Sequence, residues 1–373
     1  MMKKWTSLLL AAVLAAGVLA GCAGGSAPPS ESASGSSSSS AASSEGDASV
    51  SKELNLYTWE NMFPRQVLED FTAETGIKVN YSNFDYNETM LTKLEQAKGG
   101  DYDLIVADDY ILETVIKSGL AQKLDTSKLS NYGNIDPLFQ GQFYDPDNGY
   151  TVPYGSGVQT IVYDPTVVSM DIQGYKDLWD ASMQSNVGIT SNYRVINGMA
   201  LKVLGESYNT TDLSVIDRAG AKLLELAPNI RLIKDDNLQD DLISGEVGAA
   251  VMYTSQVTAA MLANPELKIV YPEEGIGFGI MAQFIPSNAP HADAAYRFMD
   301  YILRPEVSAK CFEFITYYCT NKAAAPLISE EYREYLTLPA DLDTDKMEMI
   351  QNISAEADEE HVKVWTEFKS ATE

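Results

Sequence analysis

Histidine and cysteine are scarce in this 373-residue chain, which has two of the first and three of the second. No His-Glu-x-x-His and no cysteine cluster occur, so the sequence offers no metal site, structural or catalytic. Gly-x-Ser-x-Gly and Gly-x-x-x-x-Gly-Lys-Ser/Thr are missing as well, which removes a nucleophile elbow and a phosphate loop. Both histidines sit in polar contexts, Ala-Pro-His291-Ala-Asp and Asp-Glu-Glu-His361-Val. Basic residues are few: 26 Lys and Arg stand against 53 Asp and Glu, for a formal charge of −27. A field of that sign repels nucleic acid and attracts cations, and it also serves solubility. The carboxylates alone would suffice for glycoside hydrolysis, so a carboxylate-based extracellular hydrolase stays open as an alternative.

Only one long apolar run exists, at the start. Met-Met-Lys3-Lys4 leads into Leu8-Leu-Leu-Ala-Ala-Val-Leu14 and ends at Leu19-Ala-Gly-Cys22. A basic start, an apolar core and small residues before a break form a secretory signal, too short for a membrane span. The break resembles the lipobox of bacterial lipoproteins, which implies a diacylglycerol on Cys22; two acyl chains give stable anchoring. Residues 23–50 are rich in Ser, Ala and Gly, with five consecutive serines from Ser36 to Ser40. Such a segment buries too little to fold, and as a coil it spans roughly 30 Å. The expected location is outside the cytoplasm, tied to a membrane. With Cys22 lipidated, Cys311 and Cys319 are expected to be unpaired structural thiols.

From residue 53 onward the pattern alternates strand and helix. Strands are expected at 53–57, 77–81 and 103–107, with helices opening at Pro64 and capped by Asn87. This β-α-β-α-β-α order implies a parallel sheet whose ligands sit at the strands' carboxyl ends. Trp59-Glu60 and Asp108-Asp109-Tyr110 occupy two of those ends. A second series follows, with strands at 158–163, 187–190, 231–233 and 249–253 and helices at 195–204, 213–226, 238–244 and 255–263. A long strand over 275–285 suggests a return to the first domain, followed by helices at 292–303 and 305–315 and a last helix carrying Val364, Trp365 and Phe368.

Leu54-Asn-Leu-Tyr-Thr-Trp59, Phe63-Pro64, Leu68-Glu-Asp-Phe-Thr-Ala-Glu-Thr-Gly-Ile-Lys-Val79 and Tyr102-Asp-Leu-Ile-Val106 resemble the spermidine/putrescine-binding proteins of ABC importers. Lys123-Leu-Asp-Thr-Ser-Lys-Leu129, Tyr150-Thr-Val-Pro-Tyr154, Ser244-Gly-Glu-Val247 and Leu303-Arg-Pro-Glu-Val307 extend the likeness along residues 53–373. It implies an α/β, two-lobed periplasmic-binding-protein-like fold (type II), each lobe a mainly parallel sheet flanked by helices, with the ligand cleft between lobes. The expected divisions are a signal peptide over 1–21 and a lipid-anchored tether over 22–52. Lobe one is 53–157 plus 281–325, and lobe two is 158–280 plus 326–373. The implied role is not enzymatic: a monomer without cofactor captures a polyamine and delivers it to an ABC permease. A different small cationic or neutral nitrogenous solute is the alternative within that role.

The resemblance also implies an aromatic box at Trp59, Tyr110, Tyr253 and Tyr317, since an ammonium over an aromatic face gains cation–π attraction. The family's carboxylates do not carry over. Asn192 and Val195 stand at two acidic positions, and Met281 stands at the acid of the return strand. Glu60 and Asp108 occupy hydroxyl positions instead, so the charges are either relocated to the first lobe or the ligand is not a polyamine.

Overall fold

A computed structural model of the protein describes residues 51–373. The expected signal peptide, Cys22 and nearly all of the tether lie outside them. Three apolar runs form the expected parallel strands, and the intervening amphipathic stretches form helices over one face each. In order these are β1 (Glu53–Thr58), α1 (Arg65–Thr75), β2 (Lys78–Asn83), α2 (Asn87–Gln96), β3 (Leu104–Asp108) and α3 (Asp109–Lys117). Gly76 closes α1 at φ 72°, a left-handed C-cap that glycine adopts without a Cβ clash. Tyr86, not Asn87, caps α2; Asn87 is the first helical residue and its side chain is free to reach elsewhere.

β4 (Thr151–Tyr163) begins seven residues before the expected strand. Pro153, Gly155 and Gly157 read as strand breakers, yet the chain accommodates Pro153 with a register shift against its neighbour. Beyond it come β5 (Val187–Ile189), α4 (Tyr193–Val203), α5 (Leu213–Leu226), β6 (Ile230–Ile233), α6 (Leu238–Ile243), β7 (Ala249–Tyr253) and α7 (Thr254–Ala263). The remaining elements are β8 (Lys268–Val270), β9 (Gly277–Phe284), α8 (Ala292–Ile302), α9 (Pro305–Ile315), β10 (Tyr318–Cys319), α10 (Glu330–Leu336), β11 (Glu348–Met349) and α11 (Ala355–Thr372).

The strand order is β2-β1-β3-β9-β4-β7-β5-β6. β1, β2 and β3 pair in parallel, as do β5, β6 and β7. Between the two parallel sets run β9 and β4, antiparallel to each other and to their outer neighbours. β4 pairs with β9 from Thr151 to Val158, then with β7 from Gln159 to Tyr163. One strand thus serves both sheets and changes partners within a residue.

The core separates accordingly. Phe63, Phe71, Tyr154, Phe298 and Phe312 pack on one face of the first sheet, and Tyr57, Phe84, Leu112 and Phe284 on the other. Ile161, Val187, Met199, Leu223, Trp365 and Phe368 form the main core of the second. Cys311 and Cys319 are unpaired thiols. His361, expected in a polar setting, is instead fully buried between α4 and α11. Asn197 Nδ2 stands 3.0 Å from its Nδ1, and burial pushes the imidazole down to about 4. Its acidic neighbours Glu359 and Glu360 lie on another side of the same helix, so sequence neighbours misreport the ring's surroundings.

Candidate functional site

The carboxyl ends of β3, β5 and β7 converge on one cavity of about 510 Å³. Asp109 and Tyr110, directly after β3, line one side. Asn192 to Val195, after β5, and Tyr253, ending β7, line the other. Gln159 of β4 and Phe278-Gly279 of β9 form the floor, and residues 350–353, which lead from β11 to α11, close a further wall.

Of the expected residues, Tyr110, Asn192 and Tyr253 line this cavity. Asn192 also caps α4, its Oδ1 accepting from the main-chain N–H of Arg194 at 3.0 Å and of Val195 at 3.2 Å. Asp108 and Tyr317 flank the cavity. Asn87 Nδ2 donates to Asp108 Oδ2 at 2.8 Å and to Tyr110 Oη at 3.0 Å, and Tyr110 Oη donates to Glu88 Oε1 at 3.1 Å. Tyr317 follows Thr316, which caps α9 in the left-handed region at φ 55°. That is a costly conformation for a β-branched residue, and it turns the chain so that the Tyr317 ring lies over Gly157, 3.4 Å from where a Cβ would stand. A Cβ at 157 would stand in ordinary contact with the ring.

Five of the expected residues are not in the cavity lining: Asp108 and Tyr317 beside it, and Trp59, Glu60 and Met281. Trp59 packs on Phe84, ring centroids 4.9 Å apart, because the turn after β1 folds it back over the first core. Glu60 is exposed in that turn. Met281 is 6 % exposed and belongs to the core cluster of Phe63, Tyr154 and Ile315; its Cε lies 3.2 Å from the Cβ position of Gly155. An acid placed at 281 would be buried among apolar groups, a costly place for a charge.

Sequence reasoning missed Asp109 as a separate cavity residue, along with Gln159. Burial pushes the Asp109 carboxyl up to about 7, with the charge of Asp108 adding to it and the Ile280 N–H opposing it. Burial likewise raises Asp108 to about 6, against the hydrogen bond from Asn87. Burial holds the Tyr110 and Tyr317 phenols up at about 12, leaving them neutral. On the second lobe Asp235 ends β6 beside Tyr253. Burial acts to raise it, but donation from Ser191 and Thr190 prevails and keeps it below the usual carboxylate range; the Thr190 bond is 2.6 Å long. The doublet Asp108-Asp109 was visible as acidic. That its second member turns into the cavity depends on the helix start at Asp109, which periodicity does not resolve.

Among the described residues, no Lys, Arg or His pairs with Asp108, Asp109 or Asp235. Arg194 is the cation on the cavity wall, and its guanidinium donates to the main-chain oxygens of Tyr208 (3.1 Å) and Gln351 (3.2 Å). Nor do the described residues assemble three or more His, Cys, Asp or Glu as a metal site. What remains is a cleft of neutral phenols and unpaired carboxylates, whose chemistry suits an organic cation.

A family model described as bacterial extracellular solute-binding protein matches residues 66–340. The spermidine/putrescine-binding periplasmic protein of Escherichia coli is 36% identical over 310 residues, 83% of this chain and 89% of that one. Its counterpart in Salmonella typhimurium is 36% identical over 302 residues, 81% of this chain and 87% of that one. Among solved structures, the spermidine/putrescine ABC transporter substrate-binding protein PotD from Streptococcus pneumoniae, in complex with calcium and HEPES, superimposes with a TM-score of 0.81. It is 29% identical and covers 87% of this chain and 100% of its own.

Proposed function

This chain belongs to the bacterial extracellular solute-binding proteins, and from that premise we propose that it captures a polyamine and delivers it to an ABC permease. The observation that carries the ligand class is the pairing of Asp108 and Asp109 with Tyr110, Tyr253 and Tyr317 where no protein cation meets the acids. An ammonium group supplies what that cleft lacks: positive charge for the carboxylates and a cation for the aromatic faces. In this reading the charges that hold the ligand have moved from Asn192, Val195 and Met281 to the carboxyl ends of β3 and β6. Lobe one is residues 53–157 plus 281–325 and lobe two is 158–280 plus 326–373. They close about the β4 and β9 crossings, and the permease reads the closed state. The protein acts as a monomer without catalysis or cofactor.

A thermal-shift panel tests this. Putrescine or spermidine at 100 times its dissociation constant should stabilise by about 2.7 kcal/mol, while neutral and anionic solutes of similar size should not. Stabilisation only by neutral solutes would overturn the polyamine assignment, and turnover of a glycan or peptide would overturn the binding role.

The anchor is part of the same proposal. Lipid on Cys22 would hold the domain on its tether at the outer face of a membrane. Among the described residues no helix is long and apolar enough to cross a membrane. Cys22→Ala should release the protein into the medium, or leave it unprocessed, with its thermal melt unchanged. A variant still bound to membranes at the processed size would contradict the lipid anchor.

A further inference from the structure

Resting on the lipid anchor proposed above, we infer that a groove between α8 and residues 122–128 is where the domain meets an anionic membrane surface. Asp293, Tyr296, Arg297 and Asp300 share one face of α8, and Lys123, Asp125 and Lys128 line the other side of a groove of about 500 Å³. Tyr296 organises it. Its hydroxyl accepts from the main-chain N–H of Asp125 at 2.7 Å, and Lys128 Nζ stands 4.9 Å from the ring centroid.

The two signs of charge are treated differently here. Each acid is met by neutral donors: Asp125 by the Ser127 hydroxyl at 2.6 Å, Asp300 by the Ser130 hydroxyl at 2.7 Å, and Asp293 by Ser51. Lys123, Lys128 and Arg297 are exposed and, among the described residues, pair with no acid. Lys52, next to Ser51, and Lys78, whose N–H donates to the Lys52 carbonyl at 2.8 Å, are exposed and unpaired as well. Those five cations stand among the three groove acids and Glu53, in a chain that carries 53 acids and 26 bases. An anionic bilayer repels a chain of that net charge, and this locally balanced pole is the approach that the repulsion leaves open.

Where the chain enters is the second, independent observation. The Ser51 N–H and hydroxyl donate to Asp293 Oδ2 and Oδ1 at 2.9 and 2.7 Å, so the described chain begins in the wall of the groove. Residues 23–50 alone separate that point from Cys22. A lipid on Cys22 therefore keeps a bilayer within reach of this pole, and lipid plus basic residues is a pairing that holds proteins on anionic surfaces. Each Lys or Arg near such a surface adds about fivefold. The pole lies at the amino ends of β1 and β2, whereas the ligand cavity lies at strand carboxyl ends. A domain docked this way opens its cleft to the medium.

The test uses the lipidated full chain in phosphatidylcholine vesicles, with and without an equal part of phosphatidylglycerol, and reads acetylation of each lysine by mass spectrometry. With phosphatidylglycerol, Lys52, Lys78, Lys123 and Lys128 should react about fivefold more slowly or less, and added salt should restore them. The exposed Lys369 on α11 should not change. In the variant combining Lys123→Gln, Lys128→Gln and Arg297→Gln, Lys52 and Lys78 should keep the rate seen on phosphatidylcholine. Equal rates on the two vesicles, or equal slowing of Lys369, overturn the membrane pole. Protection by inorganic phosphate on phosphatidylcholine at matched ionic strength assigns the groove to a free anion and overturns it too. Should the triple variant fail to fold, the lysine pattern of the unmodified chain decides alone. A chain that salt washes off phosphatidylcholine vesicles overturns the anchor itself, so the two failures are distinct.

Discussion

Between pH 6 and 7.5 the unloaded protein should lose stability, and Asp109→Asn should abolish most of that loss. Burial and the neighbouring Asp108 hold the Asp109 carboxyl up at about 7, above the roughly 3.9 of an unfolded chain. The folded state therefore binds this proton more tightly than the unfolded state. Its contribution is complete at low pH and disappears as pH rises through the folded value. Asp108 acts in the same direction through about 6. His361 acts oppositely: burial and Arg194 hold it down at about 4, so its contribution is present above the unfolded value of about 6.5 and fades as pH falls. Above 6.5 only the tail of the histidine's rise remains, smaller than the fall from the acids, which set the sign of the slope. Around Asp109 stand Asp108 on β3, the buried Tyr144 phenol, and Arg194 and Asp358 on the same cavity. At about 1.36 kcal/mol per pH unit, the whole Asp109 effect is about 4 kcal/mol spread from about pH 4 to 7, of which about 1.4 kcal/mol remains to be lost above pH 6. Melts of the unloaded protein from pH 6 to 8 should fall, those of Asp109→Asn should stay nearly level, and saturating amine should flatten the unmodified profile. A level profile in the unloaded, unmodified protein would contradict the buried, unpaired acid.

Gly198→Ala should destabilise the second lobe by about 3 kcal/mol or more, although alanine is the better helix former by about 1 kcal/mol. The reason is Tyr208. A Cβ on Gly198 would stand 2.0 Å from both Cδ1 and Cε1 of that ring. The ring has no room to retreat: it is fully buried, and its hydroxyl stands 3.5 Å from that of Tyr175. Overpacking of this kind costs more than helix propensity returns. The strain falls on α4, whose first residues line the cavity, so amine affinity should drop with stability. Gly198→Ala combined with Tyr208→Leu should lose less than the two single changes added together, which a double-mutant cycle measures. A more stable Gly198→Ala would show that the ring is not pinned.

Much of the fold was legible because its signals are local. Pro305 opening α9, the Leu213–Leu226 periodicity and the apolar run ending at Asp108 each announce an element without help from the rest of the chain. What escaped depends on distant partners. The first half of β4 is a strand because β9 and β10 lie beside it, and α10 is a charged seven-residue helix held by packing of Leu336. The same division runs through the site. Tyr110 follows from the strand-end rule, while Asn192 and Tyr253 come from the resemblance; all three line the cavity. Gln159 sits inside a strand, where only the change of partner from β9 to β7 brings it to the cavity. Asn87 looked like a helix cap and instead holds Asp108 and Tyr110 together. Met281 followed the resemblance into a position that this chain fills with core.

The most direct measurement is equilibrium dialysis of labelled spermidine and putrescine against the unmodified protein at neutral pH. The account predicts saturable uptake of one amine per chain, displaced by the other amine and not by neutral or anionic solutes. No saturable uptake of either amine would contradict it.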